Sequence, residues 1–328
     1  MTVYVHIGLH KTGTSSIQAF LRKNKPALME RGWLYPRTGW TAGGHHNLAY
    51  ELLGRKRFSE AAGRLSELAG EIAGAPNAVL SSEEFEFLEL DEVRRLKAAL
   101  DGREARIVVY LRRQDELIGS TYAQQVKMGA RMKPFEEYAR ASLYNPRFDF
   151  SQLLARWGGV FGVEALDVAV VSGQTEGQRL YDDFLARLGL DDTHDLPRPA
   201  KRLNESPTAA EIEILRRAAD KARRPGRPPR PQDMLQLQEI TSALVGEAPA
   251  LQGGGRVALS EEMYGRVAAR FAHGNARAAA LVRSKPMRNA LAFGAYEPPQ
   301  GAEPEPAAVT RAVNKALKRW DFAAQVEA

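Results

Sequence analysis

Val3-Tyr4-Val5-His6-Ile7-Gly8-Leu9-His10-Lys11-Thr12-Gly13-Thr14-Ser15-Ser16 opens the chain with an apolar run, a short stretch bounded by glycines, and a row of small hydroxyl residues. The apolar run predicts a strand over 3–8. Behind the loop, Ile17, Phe20, Leu21 and Leu28 recur at helical spacing and predict a helix over 14–30. A strand that passes through a tight loop into a helix leaves several backbone N–H groups without helical partners, beside the positive end of the helix dipole. An anion fits there. The plainer reading is a βα turn that binds nothing, and the density of Gly, Thr and Ser speaks against it.

The loop narrows the choice of anion. Gly8 and Gly13 have four residues between them, the spacing of the nucleotide-binding pattern G-x-x-x-x-G-K-[ST]. Where that pattern places its lysine this chain has Thr14, and the loop's own lysine, Lys11, stands two residues before Gly13. The run Lys11-Thr12-Gly13-Thr14-Ser15 resembles instead the 5′-phosphosulfate loop of sulfotransferases that use 3′-phosphoadenosine 5′-phosphosulfate (PAPS), in the K-T-G-T-[ST] form of glycan-modifying members. That resemblance implies a P-loop-like α/β fold and a PAPS site formed by Lys11, Thr12, Gly13, Thr14, Ser15 and Ser16.

A second segment has the same architecture. Residues 104–112 read as a buried parallel strand and 114–129 as a helix. Sulfotransferases carry an Arg at the end of such a strand and a Ser eight positions later, which together hold the 3′-phosphate of the nucleotide. Arg112 and Ser120 have that spacing here. A guanidinium fork matches a phosphate, and a hydroxyl two turns along the helix closes the other side. Arg113 is the neighbour that could exchange roles with Arg112, and strand alternation says only that the two face opposite ways.

Further strands are predicted at 32–36, 77–82 and 166–171, with a helix headed by 45–50 and others over 59–73, 91–100, 149–161 and 178–188. This alternation predicts an α/β fold, a three-layer, P-loop-like arrangement with a central parallel sheet flanked by helices. Residues 1–190 form the expected PAPS-binding core. Residues 191–328 form a helical C-terminal region, with helices over 208–223, 232–246, 260–273 and 308–325 and a basic, proline-rich segment at 223–231 that cannot be helical.

The chain has 328 residues, 44% of them hydrophobic, enough for a full core. Its net charge of +6 suits an anionic ligand such as a sulfonucleotide or an acidic glycan, and no nucleic-acid-binding motif accompanies it. There is no cysteine, which fits a reducing compartment and excludes disulfides. With no apolar run long enough to span a membrane and no secretory leader pattern, a cytoplasmic location is expected.

Sulfuryl transfer to an alcohol is an in-line displacement, in which a base removes the attacking hydroxyl's proton and a cation steadies the leaving phosphate oxygen. Lys11 is the expected cation, and no metal is required. Two places offer a base: His45, with His46 beside it, where some glycan sulfotransferases carry a catalytic Glu, and Glu83, with Glu84, where cytosolic sulfotransferases carry a catalytic His. His45 is placed first, because imidazole titrates near neutrality, and Glu83 second. Asn204, Lys201 and Arg202 are candidates for a segment folding back over the nucleotide. The expected activity is transfer from PAPS to a hydroxyl or amine of a glycan, glycolipid or small metabolite, with 3′,5′-ADP as product. The alternatives are an ATP-dependent P-loop phosphotransferase and a non-catalytic nucleotide- or glycan-binding protein of the same fold.

Overall fold

A computed structural model describes the whole chain except residues 172–177, 191–192, 194, 199–206, 223–229, 253–254, 283–287, 300–304 and 327–328. Five strands, β1 (Thr2–Gly8), β2 (Trp33–Leu34), β3 (Asn77–Ser82), β4 (Glu104–Leu111) and β5 (Leu166–Val170), form one sheet in the order β2-β3-β1-β4-β5. Every pairing is parallel. Two compact units are present: Met1–Arg113 with Pro146–Leu203 and Phe271–Phe293, and Gln114–Asn145 with Asn204–Arg270 and Gly294–Ala328.

The first unit contains the sheet. Helices α1 (Thr14–Lys23), α2 (Lys25–Glu30), α3 (His46–Leu52), α4 (Leu65–Ile72) and α5 (Leu90–Ala99) precede β4. The single helix expected over 14–30 is two helices. Asn24 caps the first, its N–H and Nδ2 both donating to the Phe20 carbonyl, and Pro26, which has no N–H, opens the second. One face of the sheet packs Val79, Val108 and Tyr110 against Ile17, Phe20 and Leu21 of α1 and Phe184 of a later helix, Gln178–Arg187. The strand residues that alternate with these, including Val5, Leu80 and Val109, are fully or almost fully buried on the opposite face.

The second unit is helical. In chain order its helices are α6 (Gln114–Lys127) and α7 (Phe135–Ser142), which come before α8 (Phe150–Phe161) and α9 (Gln178–Arg187) of the first unit, and then α10 (Ala209–Ala222), α11 (Pro231–Glu247) and α13 (Pro306–Val326), with α12 (Glu261–Ala279) leading back to the first unit. Ile214, Leu237 and Val313 are fully buried among α10, α11 and α13, which pack on one another. Nothing in the sequence predicts α7, a two-turn helix. No described helix is long and apolar enough to cross a membrane.

The turn from β1 into α1 is built by steric and hydrogen-bond constraints. A Cβ at Gly8 would run into the Thr14 side chain. Thr12 folds the crown of the loop inward, its N–H and Oγ1 donating to the Leu9 carbonyl at 3.3 and 2.6 Å. Lys11 and Gly13 both adopt left-handed backbone conformations, with φ of 71° and 87°. A non-glycine residue there costs about 1–2 kcal/mol, so Lys11 is held against its preference. At Gly13 a Cβ would meet both that strain and Leu180.

Two consequences are measurable. Gly8→Ala is expected to lower unfolding stability by about 1–3 kcal/mol, and adding Thr14→Ala should restore part of that loss in urea titrations. The second concerns acid. His6 on β1 and His45 before α3 are both fully buried, and burial pushes them down to about 3 and about 4 from an ordinary 6.5. As the pH falls below 6.5 the unfolded chain protonates these rings while the folded chain does not, so stability that is complete above 6.5 is lost progressively, down to about 4 for His45 and about 3 for His6. Each ring then removes about 2 kcal/mol by pH 5. Urea midpoints compared at pH 7.5 and pH 5 should show this decline, and a His6→Asn, His45→Asn double variant should show a shallower one.

Candidate functional site

In an open parallel sheet, ligands bind beyond the carboxyl ends of strands whose connections leave in opposite directions. Here that point lies between β1, whose chain leaves toward β2, and β4, whose chain leaves toward β5. The loop Leu9–Gly13 follows β1, and Arg112 follows β4. Arg112 Nη1 donates to the Lys11 carbonyl at 3.1 Å, which ties the two strand ends together at the switch point. The sequence-derived pair Lys11 and Arg112 is therefore adjacent.

The remaining loop residues divide by what their side chains do. The Thr12 and Thr14 hydroxyls turn inward to the Leu9 carbonyl, at 2.6 and 3.4 Å, so they shape the loop. Ser15 is exposed at the first turn of α1, and Ser16 beside it is half-buried. Gly13 is the N-cap of α1 and has no side chain to satisfy the first-turn donors. Among the described residues, no acceptor is found for the N–H groups of Gly13, Thr14 and Ser15. These are the donors of the expected cradle.

Ser120 lies in α6, in the second unit, where its hydroxyl donates to the Leu117 carbonyl at 3.1 Å. Arg113, the neighbour of Arg112, donates to the Ala292 carbonyl and stacks on Phe293. Asn204, Lys201 and Arg202 lie outside the described residues, as does most of the proline-rich segment, 223–229.

Beside the loop, the end of β3 gathers the expected bases, and the two histidines there differ sharply. His45 is fully buried, its Nδ1 accepting the Ser81 N–H at 3.0 Å and its Nε2 donating to the Pro36 carbonyl at 3.1 Å. With both ring nitrogens bonded to backbone, His45 locks the start of α3 and presents no ring nitrogen to a substrate hydroxyl, contrary to its expected role as first-choice base. His46 points the other way. Its Nδ1 lies 2.8 Å from Ser82 Oγ and its Nε2 3.8 Å from Glu83 Oε2, and burial holds it below its ordinary value against the pull of Glu83 and Glu84. Glu83 Oε2 also accepts from Gln18 Nε2 of α1 at 3.0 Å, and no partner is found for Oε1 among the described residues.

A third cluster on this rim has no counterpart in the sequence expectations. His10, one residue before Lys11, places Nδ1 2.6 Å from Glu86 Oε1, and the same oxygen lies 2.8 Å from Arg147 Nη2. These residues come from positions 10, 86 and 147, so no local spacing could have announced them.

No family model matches the chain. It is 32% identical over 115 residues to an uncharacterized protein of Archaeoglobus fulgidus, a match that spans 34% of this chain and 30% of the archaeal protein. Among solved structures, a sulfotransferase from Alicyclobacillus acidocaldarius superposes with a TM-score of 0.42 and 16% identity, covering 86% of this chain and 96% of that chain.

Proposed function

We propose that the protein is a PAPS-dependent sulfotransferase that moves a sulfuryl group to a hydroxyl or amine of a glycan, glycolipid or small metabolite. The observation that carries this is the Arg112–Lys11 hydrogen bond at the switch point, which joins the two motifs that separately resemble the 3′-phosphate and 5′-phosphosulfate sites.

The chain's own groups fit such a ligand. The N–H groups of Gly13, Thr14 and Ser15 at the α1 terminus, which find no acceptor among the described residues, suit the 5′-phosphate end, with the Ser15 hydroxyl beside them. PAPS differs from ATP by a 3′-phosphate and a transferable sulfuryl group, and the roles follow that difference. Arg112, at the strand end, is the residue assigned to the 3′-phosphate. Lys11 neutralises charge developing on the 5′-phosphate oxygen. Charge stabilisation of this kind is worth about 10²–10³ in rate for a single donor. Glu83, anchored by Gln18 through one oxygen, is an acceptor-side carboxylate whose other oxygen can receive a substrate hydroxyl. The absence of cysteine is consistent with a cytoplasmic setting.

Nucleotide preference tests the reading directly. Saturating 3′,5′-ADP without Mg²⁺, at about 100 times its Kd, should stabilise the fold by about 2.7 kcal/mol, whereas ATP with Mg²⁺ should shift the melting temperature little. The reverse ranking would point to a phosphotransferase. Lys11 offers a separate test, because its backbone is left-handed. Lys11→Ala and Lys11→Gly should both lose about 10²–10³ in transfer from PAPS, yet the glycine variant should be more stable than the alanine variant by about 1 kcal/mol. Full transfer activity in either would remove Lys11 from the chemistry.

A further inference from the structure

We infer that His10, oriented by the buried carboxylate of Glu86, is the catalytic base of this sulfuryl transfer, an assignment that rests on the sulfotransferase reading above. The side chain of Glu86 is only 2% exposed, and it lies between Arg147 Nη2 at 2.8 Å and His10 Nδ1 at 2.6 Å. A carboxylate paired with a guanidinium can only accept, so the proton of neutral His10 sits on Nδ1 and the lone pair on Nε2. No partner is found for Nε2 among the described residues, and the His10 side chain is one-third exposed, at 33%. Phe87 braces the assembly, its ring 5.7 Å from the His10 ring and 5.5 Å from the Arg147 guanidinium.

This is the arrangement in which a third group fixes the tautomer and aim of a base. Of the other histidines near the end of the sheet, His6 and His45 are fully buried and His46 is 5% exposed. His10 alone of these four combines an open Nε2 with a buried carboxylate behind it, and it directly precedes Lys11 in the loop. In the step assigned to it, His10 Nε2 takes the proton of the acceptor O–H as that oxygen bonds to sulfur. The bond from sulfur to the bridging oxygen breaks, and its electron pair stays on the 5′-phosphate of 3′,5′-ADP. Glu86 faces the resulting imidazolium, and Arg147 keeps the carboxylate in register.

His10→Asn tests this with the fold preserved, because the asparagine amide can still donate to Glu86 from the place of Nδ1 while the Nε2 lone pair is gone. Two acceptors separate proton removal from positioning: octyl β-D-glucoside, whose hydroxyl must lose a proton, and 4-nitrophenol at pH 8.5, which is already ionised. The variant should lose about 10²–10⁴ in transfer from PAPS to the glucoside, stay within about threefold toward 4-nitrophenolate, and keep the wild-type melting shift with 3′,5′-ADP. Nitrogen-15 NMR of the unliganded wild-type protein should show His10 as the Nδ1–H tautomer. Equal losses with both acceptors, no loss with either, or an Nε2–H tautomer would overturn the assignment while leaving the sulfotransferase reading in place; if that activity instead fell in Glu83→Gln with His10→Asn unaffected, Glu83 would be the base. A wild-type protein that neither responds to 3′,5′-ADP nor transfers from PAPS would remove both.

Discussion

One hydrogen bond organises the carboxyl edge of the sheet: Arg112, at the end of β4, donating to the carbonyl of Lys11, in the loop after β1. A carbonyl can be presented sideways to a neighbouring strand only if the backbone leaves its usual path, and Lys11 does so with φ of 71°. The left-handed conformation costs about 1–2 kcal/mol, and a charged hydrogen bond, worth about 1.5–3 kcal/mol, offsets it. The loop conformation and the position of the guanidinium are thus two parts of a single constraint. Losing the arginine would remove this compensation from the strained loop, which couples the two halves of the expected nucleotide site energetically as well as spatially.

Around that constraint the molecule separates polar groups that build from polar groups that remain open. Thr12, Thr14 and His45 are typical site residue types, yet each uses its side chain on backbone: Thr12 and Thr14 on Leu9, His45 on Pro36 and Ser81. Burying a polar group without a partner costs about 1–3 kcal/mol, so these bonds are what allow a loop rich in polar side chains to sit on an apolar sheet. The groups that find no partner among the described residues stand on the outer layer: the first N–H groups of α1, the Ser15 hydroxyl, Glu83 Oε1 and His10 Nε2. A phosphorylated or sulfated ligand would meet donors on one side and base atoms on the other.

The strands and the glycine-bounded turn after β1 were legible because both are local. Asn77–Ser82 is the strand that its apolar run predicts, and β1 is displaced from its expected start by one residue. The break at Asn24 was visible only as a proline inside a helical pattern, and α7 carries too few turns to establish a period. At the rim, the sequence marked the neighbourhood but not which side chains meet there. His45 and His46 are adjacent at the start of a short helix, so their rings diverge, and which of them meets the β3 carboxylates depends on how α3 docks against Ser81 and Ser82. The His10–Glu86–Arg147 cluster joins three parts of the chain through the fold alone, and such a contact leaves no periodic trace.

The packing also explains why the cation of this loop stands at position 11. In the nucleotide-triphosphate pattern the lysine occupies the position of Thr14, at the first turn of the helix. That position is closed here: Thr14 is 4% exposed, its hydroxyl reaches the Leu9 carbonyl, and its side chain fills the space a Cβ on Gly8 would need. A lysine stem directed inward at residue 14 would have to pass through the strand end, and one directed outward would abandon the contact that sets the height of the loop. A small hydroxyl residue is therefore what allows β1 and α1 to approach this closely. The positive charge has to come from the crown of the loop, where Lys11 is carried on a left-handed backbone and fastened through its carbonyl to Arg112. Moving the lysine and shrinking residue 14 are two consequences of the same close approach between strand and helix.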